Sequence, residues 1–286
     1  MPLLIDGRKA REVLLQGLKE RVATFVYTPT LAIIQVGNRP DSDSYIRAKK
    51  NCAEKIGVAI EHIQVSEEIT QDELIARIQT CNKDESIQGI IVQLPLPPHL
   101  DRTVVVNTID SAKDADALTH TRVTEWSQHN NTKALFPATA RGVIELLEYY
   151  GYTLVDKKVV VVGRSDLVGK PIAVMCTNEG AHVTVCHSKT LDLKAETSQA
   201  DILIVAIGKP CFIGSSYVKK GAVVIDVGIN TFTGEKLEEE IQNRALVGDV
   251  DFDEVQDVTT AITPVPGGVG PMTVFALFEN LLDICK

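Results

Sequence analysis

The chain has 286 residues, 44% hydrophobic and 23% charged, an ordinary globular composition with enough length for two modest domains. Its net charge of −9 argues against nucleic acid as a general partner, because phosphates need a basic surface, and no apolar run approaches the ~20 residues of a membrane helix. The apolar stretch before Asp6 is too short for a secretory core, Cys52, Cys81, Cys176, Cys186, Cys211 and Cys285 form no CxxC pair, and the six histidines are scattered, so we expect a cytoplasmic protein with reduced thiols and no metal.

Along the chain, helical patterning at Arg8–Thr24 gives way to an apolar, β-branched run at Leu31–Val36. A helix over Asp43–Ile56, a strand over Ala59–Val65, a helix over Gln71–Cys81 and a strand over Gly89–Gln93 follow. This is the rhythm of βαβ units around a parallel sheet and predicts one α/β lobe. A second series begins with a helix at Ala140–Tyr150 and a strand at Lys158–Val162. It continues through a helix at Val168–Glu179 and strands at Val183–Cys186, Ile202–Ala206 and Ala222–Val227, predicting a second α/β lobe. The final helix, Pro271–Cys285, carries Met272, Val274, Phe275, Leu277, Phe278, Leu281 and Leu282, more apolar surface than one face requires, so it must be substantially buried.

Within the first lobe, Ser42, Tyr45 and Lys49 fall at i, i+3 and i+7 and share a helix face, setting an aromatic platform beside an amine. Alone, this spacing is better explained by a solvated amphipathic helix, since it arises freely by chance. Lys50 lies about 100° around the helix and is expected to face solvent. Gln93-Leu-Pro-Leu-Pro97 places an amide where a buried strand ends and prolines stop further pairing. In the second lobe, Gly163-Arg-Ser-Asp-Leu-Val-Gly169 follows a strand and opens a helix, whose first N–H groups and dipole suit a pyrophosphate. The pattern is not GxGxxG, and by itself a tight strand-to-helix turn explains it as well. The next strand ends in Cys186-His-Ser188-Lys-Thr190 with no acid for a ribose hydroxyl, which favours NADP over NAD, with Arg164 and Ser188 suited to the 2′-phosphate. Pro264-Val-Pro-Gly-Gly-Val-Gly-Pro-Met-Thr273 is a Gly/Pro-dense loop where backbone can approach a ligand.

Taken in order, S-x-x-Y-x-x-x-K, QLPLP, GRSxxVGxP and PVPGGVGPMT cover essentially the whole chain and resemble the bifunctional methylenetetrahydrofolate dehydrogenase/cyclohydrolase family of the FolD type. The resemblance implies an α/β fold of two lobes: a folate-binding catalytic lobe at 1–139, with the helix at 271–286 packing back on it and the PGGVG loop across the cleft, and a Rossmann-type NADP-binding lobe at 140–270. It implies a homodimer acting on tetrahydrofolate derivatives, which oxidises 5,10-methylenetetrahydrofolate and hydrates the methenyl product to 10-formyltetrahydrofolate. Tyr45 would stack on the folate. Lys49, hydrogen-bonded to Gln93 with Ser42 completing the network, would handle protons, since a neutral amide leaves a buried amine's pKa free to fall. Asp116 matches the acid that receives the pterin N–H groups, while Leu94, Pro266 and Gly270 match further substrate positions. Thr139, Gly163, Arg164, Ser165, Leu167, Ser188, Ile229 and Thr273 match cofactor positions.

The chain departs from the family pattern at Asp116-Ala117, usually Asp-Gly, at Pro137-Ala-Thr139-Ala140, usually Pro-Cys-Thr-Pro, and over Leu118–Trp126. If residue 117 needs a positive φ, alanine costs ~1 kcal/mol and shifts the loop. These departures keep other readings in view: a dehydrogenase with weak cyclohydrolase activity, a folate- or nucleotide-binding protein without turnover, or another two-lobed dehydrogenase of the amino-acid or shikimate type.

Overall fold

The computed structural model of the protein describes residues 2–128, 131, 134–231 and 246–285. The chain divides into two units, Glu12–Ala138 with Val274–Lys286, and Met1–Arg11 with Thr139–Thr273. It begins with β1 (Leu3–Leu4) and α1 (Gly7–Val22).

In the first unit, β2 (Thr30–Val36), α2 (Pro40–Ile56), β3 (Ala59–Val65), α3 (Gln71–Lys83) and β4 (Gly89–Val92) build a three-stranded parallel sheet in the order β3-β2-β4. Every residue of β4 and all but the first of β2 are buried, which is why both read as near-continuous apolar runs rather than alternating ones, broken in β2 only by Gln35. Ile34, Ile90 and Val92 pack there with Leu74 and Ile78 of α3. Thr70 and Glu73 cap each other's backbone N–H groups at the start of α3, and Gly57 ends α2 with φ 84°. Two short helices follow, α4 (Arg102–Asn107) and α5 (His120–Ser127).

The second unit starts with α6 (Ala138–Tyr149), which forms through Ala140 without the proline usual there. Then come β5 (Lys158–Val162), α7 (Gly169–Asn178), β6 (His182–Cys186), α8 (Leu193–Thr197), β7 (Ile202–Val205), β8 (Val223–Asp226), β9 (Asn230–Thr231), β10 (Leu246–Val247), α9 (Phe252–Val255) and β11 (Ala261–Ile262). Its six-stranded sheet is parallel throughout, in the order β1-β11-β8-β7-β5-β6. The first eleven residues, expected with the catalytic lobe, belong instead to this unit, because Leu3 and Leu4 pair with Ala261 and Ile262. Two residues are too few to show a period, so the sequence pattern carried no sign of this strand.

The last helix, α10 (Val269–Ile284), passes from the second unit into the first at Thr273–Val274. There Phe278, Leu281 and Leu282 are almost wholly buried, and a Cβ at Gly89 would lie 2.5 Å from Leu281 Cδ1, so the Leu281 side chain rests directly on the bare backbone of β4. Asn280 is fully buried, and its Nδ2 donates to the carbonyls of Ala115 and Phe136, both at 2.9 Å. No helix among the described residues is long and apolar enough to cross a membrane.

Candidate active site

One face of α2 carries Ser42, Tyr45 and Lys49, with Ser42 and Lys49 buried and Tyr45 half-buried. The ammonium of Lys49 donates to Gln93 Oε1 at 2.9 Å. Gln93 follows directly after β4, where its own N–H is held by the Ile34 carbonyl at 2.8 Å and its Nε2 donates to the Leu94 carbonyl at 2.9 Å. That second bond fixes the amide so that its oxygen faces the amine. Leu94, half-buried, precedes a cis peptide at Pro95. No hydrogen bond joins Ser42 to Lys49 among the described residues, so the serine shares the face without completing the network expected of it.

Burial holds the Lys49 amine below the ordinary lysine range, and the Asp116 carboxylate pulls it back up. Burial likewise pushes Asp116 up, while Lys49 pulls it down. The amine therefore has two partners, a neutral amide in contact and a carboxylate acting on its charge, where the sequence suggested the amide alone.

Asp116 sits between a 3-10 turn at Ser111–Lys113 and α5, in a loop whose geometry is set by Asp114. Asp114 is fully buried, and its Oδ2 accepts the Thr119 N–H at 2.7 Å. Burial raises its pKa, the Thr119 and Leu118 donors lower it, and Asp116 raises it again; its Oδ1 has no hydrogen-bond partner among the described residues. Between the two acids and Thr119, Ala117 adopts φ 55° and its carbonyl receives Trp126 Nε1 at 3.3 Å. The residue that replaces the usual glycine thus takes the left-handed conformation. Relief of that strain by glycine, ~1 kcal/mol, is offset by the buried methyl group lost, ~0.8 kcal/mol, and by the added freedom of the unfolded chain. An Ala117→Gly protein is therefore expected to unfold in urea within about 1 kcal/mol of the parent. A stabilisation well beyond that would show that alanine strains the loop.

Behind α2, Gln35, only 1% exposed, donates from Nε2 to Asp43 Oδ1 at 2.7 Å and accepts from His62 Nε2 at 2.8 Å. Lys50, exposed as expected, lies 2.9 Å from His62 Nδ1, so that nitrogen accepts and Nε2 carries the hydrogen. This chain pins α2 to β2 and β3 on the side away from Lys49.

In the second unit, Gly163 ends β5 with φ 128°, and a Cβ there would lie 2.2 Å from the Ala206 carbonyl oxygen. A Cβ at Gly169 would lie 2.2 Å from the Gly163 carbonyl oxygen. Two glycines therefore let the strand end and the first turn of α7 close into a bare backbone cradle. Arg164 and Ser165 are exposed at its rim, Leu167 is half-buried, and Ser165 Oγ accepts the Gly169 N–H at 3.4 Å. Beyond β6, the His187 N–H is held by Thr190 Oγ1 at 2.9 Å, leaving Ser188 and Lys189 exposed at the turn. Lys189 is a cation beside Ser188 to which the sequence reading gave no role. Thr139 and Thr273 come together through their hydroxyls at 3.5 Å. Ile229 is 43% exposed on the turn after β8. Pro266, exposed after a cis peptide, and Gly270, in the first turn of α10, belong to this unit and not to the one holding Lys49. Two buried acids stand under the Ile229 turn: Asp226, which opens the turn that the resemblance places near the nicotinamide but to which no role of its own was given, and Asp249, which had no sequence signal beyond its charge.

A family model described as the tetrahydrofolate dehydrogenase/cyclohydrolase catalytic domain matches residues 5–116, and one described as the NAD(P)-binding domain of the same enzymes matches residues 137–286. The chain is 44% identical to the bifunctional protein FolD of Agathobacter rectalis, covering 100% of each. A crystal structure of the bifunctional FolD dehydrogenase/cyclohydrolase of Campylobacter jejuni superposes with a TM-score of 0.92 at 39% identity, over 100% of this chain and 99% of that one. The Trypanosoma brucei enzyme, complexed with NADP cofactor and inhibitor, superposes with a TM-score of 0.91 at 36% identity, over 99% and 97%.

Proposed function

The chain belongs to the tetrahydrofolate dehydrogenase/cyclohydrolase family, and from that premise we propose how its residues divide a bifunctional reaction. The protein oxidises 5,10-methylenetetrahydrofolate to the methenyl cation with NADP and hydrates that cation to 10-formyltetrahydrofolate. The observation that carries the reading is the buried Lys49 amine, bonded to Gln93 at 2.9 Å and acted on by Asp116. Burial favours the neutral form of both the amine and the carboxyl, so a proton can rest on either at low cost, which suits the addition of water to a cation. Tyr45 offers a face to the flat folate, and Asp116 accepts from the pterin N–H groups. Mixing the purified protein with methylenetetrahydrofolate and NADP should make methenyl absorbance rise and then decay; absorbance that never rises would refute the reading.

NADP, when bound, accepts the hydride. The cradle of Gly163 and Gly169, closed to any Cβ, fits a pyrophosphate on the N-terminus of α7. Arg164, Ser165, Leu167, Thr139 and Thr273 are placed around the cofactor, with Ile229 at its nicotinamide end. Ser188, with Lys189 beside it and no acid at the end of β6, suits the 2′-phosphate. NADP should therefore be used better than NAD, and Ser188→Asp should narrow the gap, because a carboxylate repels the phosphate and accepts from a free hydroxyl. Equal efficiency with both nucleotides in the parent protein would remove the assignment.

A dehydrogenase with weak hydrolysis was the alternative raised by Ala117. Its φ of 55°, with Asp114 holding the turn, supports the two-activity reading instead. We assign folate chemistry to the unit holding Lys49, with α10, and the nucleotide to the unit holding Gly163, with β1. Cytoplasmic operation and the absence of a nucleic-acid partner follow the net charge of −9 and cysteines scattered through the sequence with no CxxC spacing. A homodimer accords with the family and with the exposed edge of β6, where Val185 is 39% exposed and the strand's outer N–H and C=O groups are open to pairing.

A further inference from the structure

The Ile229 turn is held from beneath by two interlocked carboxylates. Asp226, 3% exposed at the end of β8, accepts the N–H groups of Gly228 (2.9 Å) and Asp249 (3.0 Å) on Oδ1 and that of Val250 (2.9 Å) on Oδ2, while its own N–H donates to Thr263 Oγ1 at 2.8 Å. Asp249, fully buried, accepts Ile207 N–H (2.7 Å) and Gly208 N–H (3.0 Å) on Oδ2, and Lys209 N–H (2.8 Å) and Asn230 Nδ2 (2.9 Å) on Oδ1. The two acids occupy each other's glycine. A Cβ at Gly228 would lie 2.3 Å from Asp249 Cγ, and one at Gly248 would lie 1.8 Å from Asp226 Oδ2. Ile229 is therefore bracketed: the N–H before it is fixed by Asp226 and the side chain after it by Asp249. The same Asp249 ties down the loop after β7, so the C-terminal ends of β7 and β8, where open parallel sheets take their ligands, are fastened to one carboxylate.

Burial pushes the Asp226 carboxyl up to about 7 against the N–H donors of Val250, Asp249 and Gly228, and the Asp249 charge pushes the same way. Two buried acids in contact are costly to keep, and loop closure alone could be achieved with neutral groups. Their presence beneath an exposed apolar side chain, with both carboxylates hydrogen-bonded into the turn that carries it, points to a demand for placement.

We infer that Asp249, acting with Asp226 through Asn230 and Gly228, is a positioning residue that fixes the Ile229 turn against NADP. This rests on the assignment of Ile229 to the cofactor. Every contact to Asp249 comes from a donor, two on each oxygen, so asparagine in either orientation sets its NH₂ against two N–H groups.

The test titrates NADP into the full-length Asn230→Ala, Asp249→Asn and Ile229→Ala proteins by calorimetry, and assays methenyltetrahydrofolate hydrolysis without nucleotide in the same samples. Asn230→Ala, which removes the part-buried bond to Asp249 and a longer one to the Val247 carbonyl, should weaken NADP binding by about three- to tenfold, and Asp249→Asn by on the order of tenfold or more, with nucleotide-free hydrolysis within about twofold of the parent. Unchanged NADP affinity in folded Asn230→Ala and Asp249→Asn, with Ile229→Ala weakened, would overturn the clamp and leave the cofactor assignment standing. Unchanged affinity in Ile229→Ala would overturn the assignment itself. Parallel loss of both properties in Asn230→Ala would reduce the acids to a structural role and also overturn the proposal; should Asp249→Asn not fold, Asn230→Ala decides.

Discussion

Lys49→Met is expected to lower hydration of the methenyl cation by ~10²–10⁴-fold, the scale of losing a general acid/base, while keeping folate binding and a larger share of hydride transfer. Loss of hydride from the methylene carbon leaves a cation and removes no proton, whereas hydration must take a proton from water and redistribute it as the ring opens. The two steps should separate, so methenyl product should accumulate in the NADP-driven assay. Methionine keeps the length and apolar bulk of a side chain only 8% exposed, so the packing of α2 is preserved. The pH profile supplies the sign. Burial lowers the Lys49 pKa, so the parent's hydrolysis rate should climb as pH rises through a value below the ordinary lysine range, and this limb should vanish in the methionine protein. Hydrolysis at the parent rate, after subtraction of the spontaneous reaction, would make Lys49 structural.

Asp116→Ala should raise the folate requirement by about 1.5–3 kcal/mol, roughly ten- to 150-fold, with NADP binding little changed. A second consequence follows from the pairing with Lys49. Asp116 is the group that pulls the amine's pKa back up, so its removal should move the rising limb of the hydrolysis profile to lower pH. In the parent, folate affinity should weaken on acidification through the raised Asp116 pKa, since a protonated carboxyl accepts fewer hydrogen bonds. Steady-state KM for folate across pH, in both proteins, checks the two directions together. Unchanged folate affinity and turnover would place Asp116 outside the site.

What could be read from residues alone was whatever repeats or interrupts a pattern. Ser42, Tyr45 and Lys49 were legible because helix geometry forces i, i+3 and i+7 onto one face, and Gln93 because prolines end an apolar strand. Buried strands such as β2, β4 and β5 announced themselves as continuous Val and Ile runs. Asp116 had no such mark and rested on resemblance. Asp114, Asp226 and Asp249 escaped because their partners are backbone N–H groups, which every residue possesses, so nothing in composition or period distinguishes them from solvated acids. The short helices α4, α5 and α8 span six, eight and five residues, too few for a helical period, yet Asp101, Thr119 and Asp192 cap them and were the available signal. β1 needed the partner strand to be recognised at all.

Asn280 carries a consequence for the birth of the enzyme. Its amide fastens Ala115, one residue from Asp116, and it lies on α10, 165 positions further along the chain than Ala115. Domains commonly fold as they emerge, N-terminal first, but here the lobe that holds Lys49 lacks its own closing element until α10 has been made. The β1 strand poses the converse problem, being made well before β11 and left waiting for it, some 260 positions downstream. A single cut in the gene between residues 138 and 139 would therefore part α10 from β4 and β1 from β11, leaving each piece without a segment that its own sheet packs or pairs with.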